Sequence, residues 1–372
     1  MNRIPFVDLH AQYLSIRSEI DDAIASVIRE TSFIGGARVA RFEQSFATFL
    51  GLPHVVSCAN GTDSMEIILK AWGIGPGDEV IVPAASWIST SEAVGNVGAR
   101  PVFVDVERDH FTIDTSLIEA AVTSRTKAII PVHLYGHPAD MPAIMSIAEK
   151  HGLRVLEDCA QSHGASIDGK LAGTFGHASS FSFYPGKNLG AYGDAGGMAT
   201  ADPELAARLR AIANHGQQGK HNHLMEGRNS RLDGLQAAIL SVKLPHLDAW
   251  NRSRIRVAEG YTQRLRECPM ELPTVRAGYR HVFHLYVVRT DDRESLARAL
   301  QAEGIETAIH YPTALPFLPC YAHLGHRPAD FPVAYSNQSR ILSLPIFPEM
   351  TEEMLDRVAS VIHSSKHVQL QG

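Results

Sequence analysis

Three stretches of the 372-residue chain combine residue types that can do chemistry together. Ser180-Phe181-Ser182-Phe183-Tyr184-Pro185-Gly186-Lys187-Asn188-Leu189-Gly190 sets a lysine in a Gly/Pro loop behind an alternating aromatic strand. Such a lysine is either simply exposed or an amine held ready to condense with a carbonyl. Leu156-Glu157-Asp158-Cys159-Ala160-Gln161-Ser162-His163-Gly164 ends an apolar run in two carboxylates. An acid there can ligate a metal, pair with a cation, or clamp a protonated ring nitrogen, and a structural role is equally open. In Ser57-Cys58-Ala59-Asn60-Gly61-Thr62-Asp63, Gly61 lets the backbone turn, and Thr62 and Asp63 open a helical run, Ser64 to Trp72. The N–H groups of such a helix start suit a phosphate, although an ordinary capped turn explains the stretch alone. Jointly the three fit one chemistry: Asp158 on a pyridinium nitrogen, Lys187 as a Schiff base, and Ser182 with a helix N-terminus on a phosphate. That is the logic of pyridoxal phosphate (PLP), an electron sink for carbanions. Lysine is the residue required, because its displaced amine can serve as the general base beside Cα.

Something must bring these stretches to one edge. From about residue 78 to 200 the pattern alternates between strand and helix. Val80–Val82, Pro101–Val106, Ala128–Leu134 and Leu153–Leu156 read as strands, and Thr90–Val97 and Leu117–Val122 as helices. Asp140 is placed to N-cap a helix with Pro142 in its first turn and Gly152 as its stop. Such alternation implies right-handed crossovers and a mostly parallel sheet covered on both faces, with ligands outside the strands' carboxyl ends. After Pro245 a helical, Arg-rich stretch runs from Trp250 to Arg266. It is followed by strand His284–Arg289, helix Glu294–Glu303, strand Ile305–His310 and two further helical stretches. The expected division is a large α/β unit over 1–245 and a smaller α+β unit over 246–372.

Composition excludes several classes. The net charge of −6 and the 20% charged residues show no footprint for a nucleic-acid backbone. No apolar run is long enough to span a membrane, and Asp8 and His10 interrupt any signal-like start. Cys58, Cys159, Cys268 and Cys320 lie far apart without a CxxC pair, so a reduced cytoplasmic protein is expected. The 19 histidines raise the question of a metal site. The best spaced, His215, His221 and His223, sit in a Gly/Asn/Gln loop without a ligand framework, and no metal is expected. Arg252, Arg254 and Arg256 read as an exposed helix face.

Longer blocks carry a resemblance. Ile4-Pro5-Phe6-Val7-Asp8-Leu9, SCANGTDS, GPGDEVIVP, LEDCAQSHGA, SFYPGKNLGAYGDAGG, GRNSRLDGLQAAIL, IHYP and LSLPIFPEMT occur in order along nearly the whole chain. In these blocks the sequence closely resembles the DegT/DnrJ/EryC1/StrS nucleotide-sugar aminotransferases, PLP enzymes of fold type I. The resemblance implies an α/β fold with a mostly parallel, seven-stranded type of sheet, helices on both faces, and a smaller C-terminal α+β domain. It implies Lys187 as the Schiff-base lysine, Asp158 on the pyridine nitrogen, Gln161 on the ring oxygen and Trp87 stacked on the ring. Gly61, Thr62 and Ser182 would bind the phosphate with Asn229 from a neighbouring subunit, making a homodimer the smallest active unit. Arg231, His310 and Tyr311 resemble the set that contacts the sugar nucleotide. Two departures are visible. Thr313-Ala314-Leu315-Pro316-Phe317 lacks the family's histidine after the leucine, and Tyr335 follows Pro332-Val333-Ala334 where a glutamate is common. The implied activity is ping-pong transamination, with L-glutamate donating to a ketone on a nucleotide-diphosphate sugar, C3 favoured over C4. A PLP-dependent sugar dehydratase and a non-catalytic PLP-binding regulator are the alternatives; the lysine at 187, where a dehydrating branch carries histidine, favours transamination.

Overall fold

The computed structural model describes residues 3–219 and 221–369. Among these residues twelve strands are formed: β1 (His54–Cys58), β2 (Glu79–Pro83), β3 (Arg100–Val104), β4 (Thr126–Ile129), β5 (Arg154–Asp158), β6 (Ser166–Ile167), β7 (Lys170–Leu171), β8 (Ala178–Ser182), β9 (Gly196–Thr200), β10 (Tyr279–Arg280), β11 (Tyr286–Arg289) and β12 (Ile341–Leu344). Seven make the central sheet in the order β1-β9-β8-β5-β4-β2-β3. Within it β9 alone runs antiparallel to its neighbours.

Strand periodicity sorts side chains onto two faces. Val80 and Val82 join one core with Val56, Ala128, Ile130 and Leu156, beneath helices Gly61–Ala71, Ser89–Asn96 and Pro203–Ala213. The alternate residues Ile81, Val104, Ile129 and Val155 meet Ile118 and Ile144 of helices Thr115–Ala121 and Met141–His151 on the other face. Strands buried on both sides read as continuous apolar runs, as these do. Asp140 caps helix Met141–His151 by accepting from the Ala143 N–H, and Gly152 ends it at φ +66°.

Phe181 on β8 and Phe183 just beyond its end stand edge-on to Phe46 of helix Gly36–Leu50, at 5.0 and 5.3 Å between ring centres. Anchoring these two aromatics outward turns Ser180 and Ser182 toward helix Gly61–Ala71. Ser180 donates from there to the Gly61 carbonyl at 3.2 Å. Losing one such buried ring costs about 3–5 kcal/mol.

The two borders of the sheet are closed differently. On β1, Glu43 accepts from the outward Ser57 N–H at 2.9 Å, and Arg210 donates to the Val55 carbonyl at 3.3 Å. Glu43 and Arg210 also pair with each other at 2.9 Å. On β3 the border carries Pro101, which has no N–H to offer.

A further cluster gathers helix Leu247–Leu265, the β11–β12 pair and helix Glu352–Gln369, and Ile4 from the chain's start joins it. Ala314, Leu315, Phe331 and Ala334 pack instead on the first core, and β10 pairs with β6. Several expectations are corrected. Residues 305–310 form no strand: Ile305 bridges Ile4 and Ala308 bridges Ser343, so the segment is shared between two partners. Strand β4 stops at Ile129, and Leu134 opens a short 3-10 turn in which Tyr135 has φ +59°. Arg254 is not exposed. It is buried, donates to the carbonyls of Phe283, His284 and Ile346, and is lowered to about 10 by burial. No helix among the described residues is long and apolar enough to cross a membrane.

Candidate active site

Asp158 is the last residue of β5, Ser182 the last of β8, and Gly61 the first of the helix that follows β1. Parallel alignment of β1, β5 and β8 brings these ends to one border of the sheet, as the open α/β geometry demands. They line a cavity of about 680 Å3 together with Thr62, Trp87, Gln161, Lys187, His310 and Tyr311. Nine of the eleven residues singled out in the sequence therefore meet in one place.

Asp158 is 4% exposed and has two donors, the Thr90 hydroxyl at 2.9 Å on Oδ2 and the Ala160 N–H at 3.1 Å on Oδ1. Burial pushes its carboxyl above the ordinary range, while those donors and the Lys187 charge hold it down. Lys187 is half-buried; burial lowers its amine to about 8, against the opposing pull of Asp158. A neutral amine is thereby populated near neutral pH. Gln161 Oε1 accepts from the Tyr135 N–H at 2.6 Å, which turns Nε2 outward toward the Tyr311 hydroxyl at 3.2 Å. The His310–Tyr311 peptide bond is cis. His310 Nδ1 lies 2.8 Å from Ser343 Oγ, and burial lowers its imidazole to about 4. Trp87 is 56% exposed, its ring 5.3 Å from that of Tyr311.

At the helix start, Asn60 caps with its side chain on the Asp63 N–H at 2.8 Å and its carbonyl on the Ser64 N–H at 3.2 Å. The N–H groups of Gly61 and Thr62 have no acceptor among the described residues. A Cβ on Gly61 would stand 2.8 Å from Ser182 Cβ, so glycine alone lets the helix N-terminus approach β8.

Residues 14–363 match the DegT/DnrJ/EryC1/StrS aminotransferase family model. The chain belongs to that family. It is 48% identical, over 98% of both chains, to an Acidithiobacillus ferrooxidans protein named as a UDP-N-acetyl-3-dehydro-α-D-glucosamine 3-aminotransferase. It is 44% identical to a dTDP-3-amino-3,4,6-trideoxy-α-D-glucose transaminase of Streptomyces venezuelae, over 97% of this chain and 95% of that one. The crystal structure of S. venezuelae DesV in complex with a ketimine intermediate superposes with a TM-score of 0.96, at 43% identity and 98% coverage of both chains.

Members of this aminotransferase family use PLP, and solved structural neighbours hold it in PLP and PMP forms. The residues of this DegT-family chain fit that group. The Asp158 carboxylate has two protein donors for roughly four lone-pair sites. Gln161 faces the cavity with a donor, and the helix start presents N–H groups where a phosphate would sit.

Two of the expected residues do not line this cavity. Asn229 and Arg231 are exposed on the segment leading into helix Gly234–Lys243. Polar and aromatic residues that the sequence did not mark as site residues also line it, among them Ser86, Ser89, Thr90, Tyr184 and Asp194. Thr90 had a signal, since it sits in the first turn of a helix following β2 at the same sheet border. The two departures from the family pattern touch: Phe317 stands edge-on to Tyr335 at 5.3 Å, away from the cavity lining.

His133, Glu157 and Cys159 form a buried group with metal-ligand spacing. Glu157 is already saturated: the N–H groups of Gly173, Phe175 and Gly176 donate to it at 2.7 Å each, and His133 Nε2 at 3.0 Å. The Ala139 N–H occupies His133 Nδ1, so the cluster is a structural lock on residues 173–176.

Proposed function

We propose that this chain aminates the C3 ketone of a nucleotide-diphosphate sugar, taking nitrogen from L-glutamate. The observation that carries the reading is the cavity that gathers Lys187, Asp158, Gln161, Ser182, Gly61 and Thr62. The C3 position is supported by relatives whose names specify 3-amino or 3-dehydro sugars. They differ in UDP and dTDP, so the base is left to the assay below.

When bound, PLP supplies the electron sink for the carbanion generated at the amino acid's Cα. Lys187 would carry the cofactor's aldehyde and, once freed, move a proton between Cα and the adjacent cofactor carbon. Its depressed basicity suits both tasks. Asp158 would hold the ring nitrogen protonated, and its burial makes the charge-assisted bond strong. Gln161 Nε2 would donate to the ring oxygen, and Trp87 would cover one ring face. Gly61, Thr62 and Ser182 would hold the phosphate. Asn229 of the partner subunit would complete that site, making a homodimer the working unit. The exposed Trp87, Phe33 and Ile34 offer apolar surface to such a partner. Arg231, with a planar fork suited to phosphate oxygens, would meet the diphosphate, and His310 and Tyr311 the sugar. The division at residue 245 belongs to this proposal, the smaller unit closing the cavity through His310 and Tyr311. A cytoplasmic setting accords with four unpaired cysteines.

The test is incubation of the PLP-loaded protein with L-glutamate and 3-keto or 4-keto sugars on UDP and dTDP, with the product read by mass spectrometry and NMR. A 3-amino sugar and stoichiometric 2-oxoglutarate are expected. A deoxygenated sugar without nitrogen would establish the dehydratase alternative. PLP binding without turnover on any substrate would establish the regulatory one.

A further inference from the structure

Asn188 follows Lys187 directly, and its amide is buried together with that of Asn251 in helix Leu247–Leu265, at 3% and 1% exposure. Asn188 Nδ2 donates to Asn251 Oδ1 at 2.8 Å and to the Val282 carbonyl at 3.1 Å. Asn188 Oδ1 lies 3.2 Å from His284 Nδ1, and Asn251 Nδ2 donates to the His163 carbonyl at 2.7 Å. Gly164 adopts φ +84°, and a Cβ there would stand 2.8 Å from Asn251 Nδ2. The backbone is thus bare where the amide seats. Two side chains thereby join the lysine loop, the loop after β5 that carries Gln161, the long helix, and the chain entering β11. A buried polar network this fully paired fixes geometry, because any displaced member would strand a desolvated partner.

We infer that the Asn188–Asn251 amide pair is a positioning clamp that sets the Lys187 side chain against Asp158 and Gln161 and couples it to residues 282–284. The inference rests on the reading of Lys187 as the PLP-bearing lysine. Neither amide lines the cavity, so both act through Lys187. Among the described residues Lys187 Nζ has no hydrogen-bond acceptor, so its direction is set by the backbone on which Asn188 sits. Freeing that backbone lets the amine wander by a fraction of an ångström to an ångström, enough to weaken proton transfer.

The experiment uses PLP-loaded wild type, Asn188→Ala, Asn251→Leu and the double variant. The pH midpoint of the visible band of bound PLP is read, with kcat and KM for glutamate, and the borohydride-fixed lysine is located by mass spectrometry. The clamp predicts that each single change moves the midpoint by roughly half a pH unit or more. It predicts a kcat loss of roughly tenfold to hundredfold with KM changed far less. The double variant should be no worse than the poorer single variant within about threefold, because the pair acts as one unit. Asn251→Ser, smaller and polar, gives the same readings should leucine prevent folding. Variants that keep the wild-type midpoint and kcat while losing only thermal stability would overturn the clamp and leave the Lys187 reading intact. Wild-type protein fixed at another lysine would overturn both.

Discussion

Replacing Asp158 by asparagine removes a charge and keeps nearly the same shape. The carboxylate takes the Ala160 N–H at 3.1 Å and the Thr90 hydroxyl at 2.9 Å. The asparagine oxygen can keep the first bond, and the Thr90 hydroxyl can accept from the new amide, so the fold has no reason to fail. What disappears is the ionic hydrogen bond to a protonated ring nitrogen. Such a bond is worth about 1.5–3 kcal/mol, and about 1.36 kcal/mol is tenfold in rate, so the half-reaction with glutamate should slow roughly 10- to 150-fold. Lys187 should respond in the opposite direction. Burial lowers its amine to about 8, and the Asp158 charge keeps it from falling further. At pH 7.5 such an amine is about one quarter neutral, against about one in a thousand for an ordinary lysine. Without the Asp158 charge the neutral fraction grows, so capture of PLP on Lys187 should be at least as fast as in wild type. Borohydride fixation followed by mass spectrometry measures capture, and stopped-flow bleaching of the visible band by glutamate measures the half-reaction. A half-reaction within about twofold of wild type, or capture and half-reaction falling in parallel, refutes the assignment.

Three other outcomes are expected. Gly61→Ala drives a methyl group against Ser182, and overpacking of about 1–3 kcal/mol should weaken PLP binding roughly 5- to 150-fold, measured by titrating cofactor-free protein. An unchanged affinity would remove the helix start from the phosphate site. Glu157→Gln can keep its oxygen on the Phe175 and Gly176 N–H groups but sets its NH2 against the Gly173 N–H and His133 Nε2, and should cost about 3 kcal/mol in urea unfolding; a loss below about 0.5 kcal/mol counts against the lock. His137 and His163 are buried, and burial lowers them to about 4 and about 3. Their neutral forms stabilise the fold fully above an unfolded pKa near 6.5, and that contribution drains as pH falls toward the folded values. At pH 5 the loss is about 2 kcal/mol for each, so His163→Leu should reduce the drop in unfolding free energy between pH 7.5 and 5 by about that amount. An equal drop in both proteins would contradict it.

The chemistry was more legible than the architecture around it. Lys187 and Asp158 were singled out from their residue types and positions, with bland readings still open, and Gln161 from the family resemblance; the sheet border brings all three together. Helix Met141–His151 was readable end to end because a capping aspartate and a left-handed glycine act locally. Failures came where distant partners decide. Residues 305–310 look like a strand, yet Ile4 and Ser343 divide their backbone pairing. Arg254 sits in a charged stretch of sequence, and only the folded chain reveals three carbonyls waiting for it. The antiparallel course of β9, a short Gly-Gly-Met-Ala-Thr run, has no local signature, since direction is set by where the chain returns. Asn229 and Arg231 were named from the family resemblance, and the folded chain does not bring them to the cavity.

The closed borders of the central sheet bear on how copies of this chain meet. A collision between two molecules meets Glu43 and Arg210 seated on backbone groups of β1 and a proline in β3, which interrupt the rows of donors and acceptors at both borders. Association is left to side-chain surfaces, where shape and chemistry can discriminate one neighbour from another. Any meeting of two copies would then be selected by fit, while the strand-by-strand growth that begins fibres is hindered at both borders of the sheet.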